Sequence, residues 1–439
     1  MAINSLISML GALDAALSLC TRCGLCQAVC PVYSVTGNEA DAARGKIFLL
    51  DGLASHLFDD PAGVSERLDR CLLCGACEAE CPRGIKITQT YIAARSILAE
   101  YMGLSLGKKV LFRQMLARPE RFDRLAAWAA RFQWLVTRPA GLLSSPVSQN
   151  MVSPLLINRW VPALPITPFH RMEIPERPTE VKGHRVAIFA GCLIDKVFPD
   201  IAVAMIEALK YHRADISVPA GQGCCGIPAL SSGDMKSFQS LVALNLERFN
   251  PDDFDWLVTG CATCTAVIKK IWPEMSGWQI GSKNHVRLKR ISEKTIDFSG
   301  LMIDIIGVAP MKTGSSSPLV TYHDPCHLKN SLGVMEAPRK LLCASNAFRF
   351  AEMKDADTCC GMGGGFCLSF PDISRSLGDR KRDRIMGSGA DVVATSCPAC
   401  MIQLADLSIT APRSFGVRHV AQIYADGLRL CRPQPSDAS

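Results

Sequence analysis

No stretch of the 439-residue sequence reaches the roughly 18 uninterrupted apolar residues of a membrane-spanning helix. The expectation is therefore a protein that is soluble or at most peripheral to a membrane. Lysine and arginine form no block either. The formal net charge of +7 is spread along the chain, which permits an anionic partner or surface without requiring one, and no nucleic-acid partner is expected. The apolar stretch from Ile3 to Leu19 lacks the basic leader of a secretory signal, carries Asp14 and runs directly into Cys20. It reads as an amphipathic helix with Leu6, Met9, Leu10, Leu13 and Leu17 on one face and Asn4 or Ser5 as its cap. No G-x-G-x-x-G turn opens a helix, so no dinucleotide site is expected, and the glycines from Gly363 follow cysteines rather than a strand.

Cysteine, by contrast, is abundant, with 21 residues. A chain with 48% hydrophobic and 20% charged residues can bury its own core and needs no disulfide staples. The cysteines also fall in tight C-x-x-C clusters, which favours metal binding in a reducing, cytoplasmic compartment. The length implies two to four domains.

Within residues 1–105, Cys20, Cys23, Cys26 and Cys30 precede Pro31, and Cys71, Cys74, Cys77 and Cys81 precede Pro82. Both spell C-x2-C-x2-C-x3-C-P, a run whose fourth cysteine ligates the other cluster in two-cluster ferredoxins. The expected sets are Cys20, Cys23, Cys26 and Cys81 for one cubane [4Fe–4S] cluster, and Cys71, Cys74, Cys77 and Cys30 for the other. Zinc knuckles explain such triple runs poorly, because they use paired C-x2-C turns. Arg44 and Lys46, between the runs, are candidates to face a cluster or water.

Residues 106–180 read as a helical arm and a proline-broken linker, in which Arg118, Arg121, Arg124 and Arg131 form a helix face expected to be solvated, with a membrane-surface or partner-facing stripe as the alternative. Residues 181–310 and 311–430 are a duplication. The strand Val186–Gly191 ends at Cys192, and Leu319–Pro325 ends at Cys326. Cys224-Cys225-Gly226 then matches Cys359-Cys360-Gly361, and Cys261 with Cys264 matches Cys397 with Cys400. Alternating strands and helices predict two parallel α/β modules with their cysteines gathered at the carboxyl ends of strands. Adjacent cysteines suit different irons of a cluster better than one zinc ion, and the glycine after each pair is expected to let the backbone approach that cluster. Cys343 and Cys431 are expected to be structural and Cys367 to lie near the second site without ligating, while His323 and His327 are candidates to donate to thiolate sulfur, with ordinary strand-end histidines as the equal alternative.

This order of parts resembles the iron–sulfur subunit family of glycolate oxidase, which includes the iron–sulfur partners of D-lactate and related 2-hydroxyacid dehydrogenases. The stretch Gly37-Asn38-Glu39-Ala40-Asp41-Ala42-Ala43-Arg44-Gly45 looks like that family's G-x-E-x-D-x-x-R-G. The resemblance implies an α+β multidomain chain: a mainly helical two-[4Fe–4S] ferredoxin-like domain followed by two α/β cysteine-rich (CCG) modules. It implies an FAD-containing hydroxyacid dehydrogenase subunit as partner and a quinone or other carrier as acceptor, at the inner face of the cytoplasmic membrane if the chain is peripheral. Both modules are complete here, and a similar complete module of heterodisulfide reductase holds a noncubane [4Fe–4S] cluster. Up to four clusters are thus implied, with disulfide reduction at a module as the alternative activity and a zinc-holding scaffold as the non-redox one.

Overall fold

The computed structural model describes residues 3–139, 151–153, 159–173, 183–275, 282–310, 314 and 316–431. The amphipathic pattern of the first residues forms helix Ile3–Leu10, a 3-10 turn and helix Asp14–Leu17. Its Leu6, Leu10, Leu13 and Leu17 are buried against helices Ala43–Ala54 and Ile87–Met102, which close the core of the first unit. Both cysteine runs fold alike. Gly24 and Gly75 take the left-handed conformation (φ +87° and +75°), each turning the chain into a one-turn helix, Leu25–Ala28 or Ala76–Ala79. These two helices pack together, so the runs face each other.

The chain contributes eleven strands among the described residues: β1 Arg138–Pro139, β2 Met151–Ser153, β3 Arg159–Val161, β4 Arg185–Ile188, β5 Asp215–Ser217, β6 Trp256–Thr259, β7 Thr295–Asp297, β8 Leu319–Tyr322, β9 Arg349–Phe350, β10 Val392–Thr395 and β11 Gly416–His419. One sheet runs β5-β4-β6-β7 and another β9-β8-β10-β11, all neighbours parallel. The two orders coincide under the duplication. The short apolar runs are buried on both faces because parallel strands need helical crossovers, and those cover the sheet.

The modules contact each other reciprocally. Helix Pro199–Tyr211, which follows Cys192, packs on helix Val420–Leu430 at the end of the second module. Its counterpart Glu336–Cys343 packs on Phe298–Ile305 at the end of the first. The segment Ala262–Ala266 likewise meets His327–Ser331, and Gly191–Lys196 meets Pro398–Ile409. Such paired contacts are those of an isologous interface, here within one chain. No helix among the described residues is long and apolar enough to cross a membrane.

Two features depart from expectation. Each sheet has a fourth strand, β7 or β11, too short or too polar to stand out as a periodic run. The proline-broken linker is not featureless, since β1, β2 and β3 form an antiparallel ribbon. Its last strand is anchored to the second module: buried Arg159 donates to Gln403 Oε1 (2.9 Å) and Ser374 Oγ (2.9 Å), and Trp160 N donates to Asp406 Oδ1 (2.7 Å).

The glycines after the cysteine pairs bring their backbone to the thiols as expected, Gly226 N and Gly361 N donating to the Cys224 and Cys359 sulfurs (both 3.4 Å), and they also answer a packing constraint. Gly226 and Gly361 are left-handed (φ +95° and +84°), and a Cβ on either would strike the next helix rather than the thiol site: 2.6 Å from Phe238 Cδ2 in one copy, 2.5 Å from the Ser374 carbonyl oxygen in the other. A ring edge can shift; a helix backbone cannot. Gly361→Ala should therefore cost about 3 kcal/mol, combining left-handed strain with overpacking, and Gly226→Ala clearly less. Denaturant unfolding midpoints of the two variants check this, and equal losses would refute the assignment.

Candidate metal centres

Eight thiols of the first unit line two hollows. One is bounded by Cys30, Cys71, Cys74 and Cys77, with Lys46, Asp41, Leu72 and Tyr91. The other is bounded by Cys20, Cys23, Cys26 and Cys81, with Arg44, Arg83, Ile47 and Ile85. The fourth cysteine of each run thus sits with the other run's first three, and Ala43 and Ile87 border both hollows. A tetrahedral zinc site, with Zn–S near 2.3 Å, would set its sulfurs about 3.8 Å apart. The groups of three or more potential ligands within 4.8 Å of one another, among the described residues, are His323–Cys360–Cys400 and Asp123–His170–Asp195. Neither includes a thiol of the hollows, so these sulfurs surround a space wider than one zinc ion fills. All 21 cysteines are free thiols.

Electrostatics sharpen the fit. Burial raises the thiols of Cys26, Cys30 and Cys77 and pushes Cys74 up to about 12, because an ionised sulfur is poorly solvated there. Lys46 is buried, and its ammonium donates to the Asp41 carbonyl oxygen. Burial lowers it, whereas Cys71, Cys30 and Asp41 favour its charged form. Asp41, fully buried, also meets Arg67 (3.3 Å) and Arg70 (3.7 Å). Tyr91 hydroxyl donates to the Ala43 carbonyl (2.6 Å). Arg44 instead pairs with exposed Glu39 at 2.6 Å. Of the two cations singled out in the sequence, Lys46 is enclosed at one hollow and Arg44 stands at the rim of the other.

In each module the five cysteines also meet. Cys224 adjoins both Cys192 and Cys225, Cys225 adjoins Cys264, and Cys264 adjoins Cys261. Neighbouring thiol donors, Cys224 foremost, hold Cys225 down at about 6. In the second copy the Cys360 and Cys400 sulfurs are 3.6 Å apart, Cys359 adjoins Cys360, and Cys397 adjoins Cys400. Cys326 lies close enough to Cys360 and Cys397 to sense their charge. The two sets touch across the module boundary: the Cys261 and Cys397 thiols adjoin, beside an Ala262 N–H donating to the Ser396 carbonyl (2.9 Å). Thr263 Oγ1 lies 3.7 Å from Cys397 Sγ and 3.3 Å from His327 Nδ1. His323 is buried with neither ring nitrogen hydrogen-bonded, facing Cys360 and Cys400. A soft, sulfur-rich donor set with an orphaned imidazole fits a thiophilic metal group.

The chain matches the family models for a 4Fe-4S dicluster domain at residues 16–85 and for a cysteine-rich domain, CCG, at residues 186–269 and 320–405. It is 29% identical over 404 residues to a probable glycolate oxidase iron–sulfur subunit of Bacillus subtilis (strain 168), spanning 88% of this chain and 87% of that protein. The chain is a homologue of the glycolate oxidase iron–sulfur subunit. Lactate utilization protein A of an Exiguobacterium species is 27% identical over 56% of this chain and 98% of its own length. One of the subunits of a fumarate reductase (CoM/CoB), from Methanothermobacter marburgensis, is 34% identical, but over 51% of this chain and only 42% of its own length. The dicluster and CCG domains support iron–sulfur clusters in this homologue, and the relatives named as glycolate oxidase and fumarate reductase subunits belong to oxidoreductase systems.

The remaining cysteines belong to neither set, although Cys367 lies near the second one, close enough to Cys360 to sense its charge. Cys367 is buried and donates to the Gly364 carbonyl (3.2 Å), and Cys431 is exposed at Asn346. Sequence reasoning missed the residues that hold the cysteine loops from a distance. Asn245, fully buried in helix Met235–Arg248, accepts from Gly223 N (2.9 Å) and donates to the Cys224 carbonyl (3.0 Å), while Trp272 Nε1 donates to the Cys225 carbonyl (2.9 Å). Neither lies in a motif, so no local signal could have found them. Replacing Asn245 by Ala should strand both loop groups and cost about 2–3 kcal/mol, whereas Trp272→Phe, which keeps most of the ring, should cost about 1 kcal/mol more than its packing loss. Unfolding curves of the paired variants would expose a wrong assignment by inverting that order.

Proposed function

We propose that this chain is the electron-transfer subunit of a flavin-dependent 2-hydroxyacid dehydrogenase of the glycolate or lactate type, passing electrons from an FAD-bearing subunit toward a quinone or other carrier. In this reading Cys20, Cys23, Cys26 and Cys81 hold one cubane [4Fe–4S] cluster and Cys71, Cys74, Cys77 and Cys30 the other. Each five-cysteine module set holds one further, noncubane cluster. When bound, such clusters accept and release single electrons.

The observation that carries the proposal is that the four thiol sets form an unbroken line. The two hollows share Ala43 and Ile87 as wall. The hollow bounded by Cys30 and Cys74 abuts the second module, where Asn330 Nδ2 donates to the Cys74 carbonyl (2.9 Å) and Val32, Leu72, Phe366 and Leu377 form an apolar cluster touching Cys30, Cys326 and Cys359. The second module then meets the first through Cys397 and Cys261. Arg95 secures the docking, donating to the carbonyls of Cys71 and of Ser231 in the first module, both at 2.8 Å. Lys46, enclosed at its hollow, would in its charged form favour the more negative, reduced state of a cluster held there.

One feature favours a second reading. The module sets face each other with buried His323 unpaired, so a disulfide or related acceptor could be reduced between them. The relative from a fumarate reductase (CoM/CoB) shows that similar chains serve other oxidoreductases.

Anaerobically prepared protein should show cluster signals reducible by an artificial donor, no hydroxyacid oxidation alone, and electron uptake when the flavoprotein subunit and hydroxyacid are added. Disulfide turnover by the isolated chain would instead establish the second reading. Cys30→Ser should remove the spectroscopic signal of the cluster held by Cys71, Cys74 and Cys77 and spare the other, with Cys81→Ser doing the reverse. Loss of the Cys20-side signal in the Cys30 variant would sink the interleaved assignment.

A further inference from the structure

Ten of the 22 large apolar side chains exposed among the described residues fall between Met102 and Val136. They are not scattered. In helix Pro119–Phe132 and the turn that follows, Leu125, Trp128, Phe132 and Leu135 recur at intervals of three and four residues, which sets them on one helical face. Trp128 is 62% exposed and Leu135 62%, and the Trp128 and Phe132 rings touch, with centroids 5.3 Å apart. The opposite face, with Ala130 buried, packs inward. The arm is clamped to the first module: Asp123 meets Lys196 and, at 3.4 Å, His170, while Arg113 pairs with Asp234 at 3.2 Å. The exposed stripe is therefore a firmly held surface.

Its charge is one-sided. Contrary to the even spread expected, residues 106–136 hold seven lysines and arginines against Glu120 and Asp123, a net +5 beside +7 for the whole chain. Arg124 and Arg131 border the stripe and Arg121 heads it, all exposed. We propose that this face docks the protein onto an anionic lipid surface, with Leu125, Trp128, Phe132 and Leu135 entering the headgroup layer and Arg121, Arg124 and Arg131 pairing with lipid phosphates. Aromatic and leucine side chains beside arginine are the combination that interfacial helices present to such a surface. A second copy fits worse, because twofold pairing would set each arginine row against its own image. The alternative of a merely solvated arginine face leaves the adjoining apolar stripe unexplained.

The test is cosedimentation of the cluster-loaded full chain with phosphatidylcholine vesicles, with and without phosphatidylglycerol at roughly a third of the lipid. Binding should be about tenfold stronger on the anionic vesicles. It should fall as salt shortens the screening length from about 10 Å near 0.1 M to about 3 Å near 1 M. Trp128→Ser combined with Leu135→Ser should abolish it, and Arg124→Gln with Arg131→Gln should remove the lipid preference. Unchanged cluster absorption will show that these surface variants remain folded. Failure of the wild-type chain to sediment with either vesicle would overturn the proposal. So would a wild-type dimer that Trp128→Ser with Leu135→Ser dissociates, which would assign the face to a second copy.

Discussion

Sulfur held away from water governs this structure. An ionised thiol loses its solvation on burial, and a set of them adds mutual repulsion, so a buried cysteine in a cluster resists ionisation unless positive charge or neighbouring donors stabilise the thiolate, as neighbouring thiols do at Cys225. The shifts at Cys30, Cys74 and Cys77 register that penalty. Metal would offset it, releasing protons on binding and contributing folding free energy. The glycine turns, the interleaving of the two runs and the remote anchors Asn245 and Trp272 all serve to bring sulfurs together against this opposition.

Duplication solves the same problem in the modules. A parallel sheet delivers its loops to one edge, and two such edges placed face to face enclose a sulfur-rich region neither could close alone. The reciprocal helix contacts fix that arrangement. They also explain why the duplicated halves retain matching strand order while their side chains have diverged. In one, a phenylalanine ring backs the turn after the cysteine pair; in the other, a helix carbonyl does.

The sequence made the cysteine sets legible because ligation imposes strict spacing, and spacing survives in one dimension. Strands β4, β6, β8 and β10 were visible as apolar runs ending at cysteines. Strands β7 and β11 were not, since three or four residues that include Asp297, Arg418 or His419 carry no periodic signal. The ribbon ending in β3 escaped for a different reason: Arg159 is buried by partners more than 200 residues away in sequence. Lys46 and Arg44 looked alike as neighbours in the chain. Only helix rotation, which buries Lys46 and leaves Arg44 at a rim, tells them apart.

The N-terminal unit breaks the symmetry that duplication created. Its apolar cluster touches Cys326 and Cys359 of the second module, while the first module meets it through Arg95 and Gly233 rather than through thiols. Two halves alike in topology are thus unequal in address: one stands next to the ferredoxin-like unit and the other behind it. Such an inequality lets natural selection act on each copy separately. The distal copy is freer to change or discard a cysteine, because the gateway to the rest of the molecule does not pass through it.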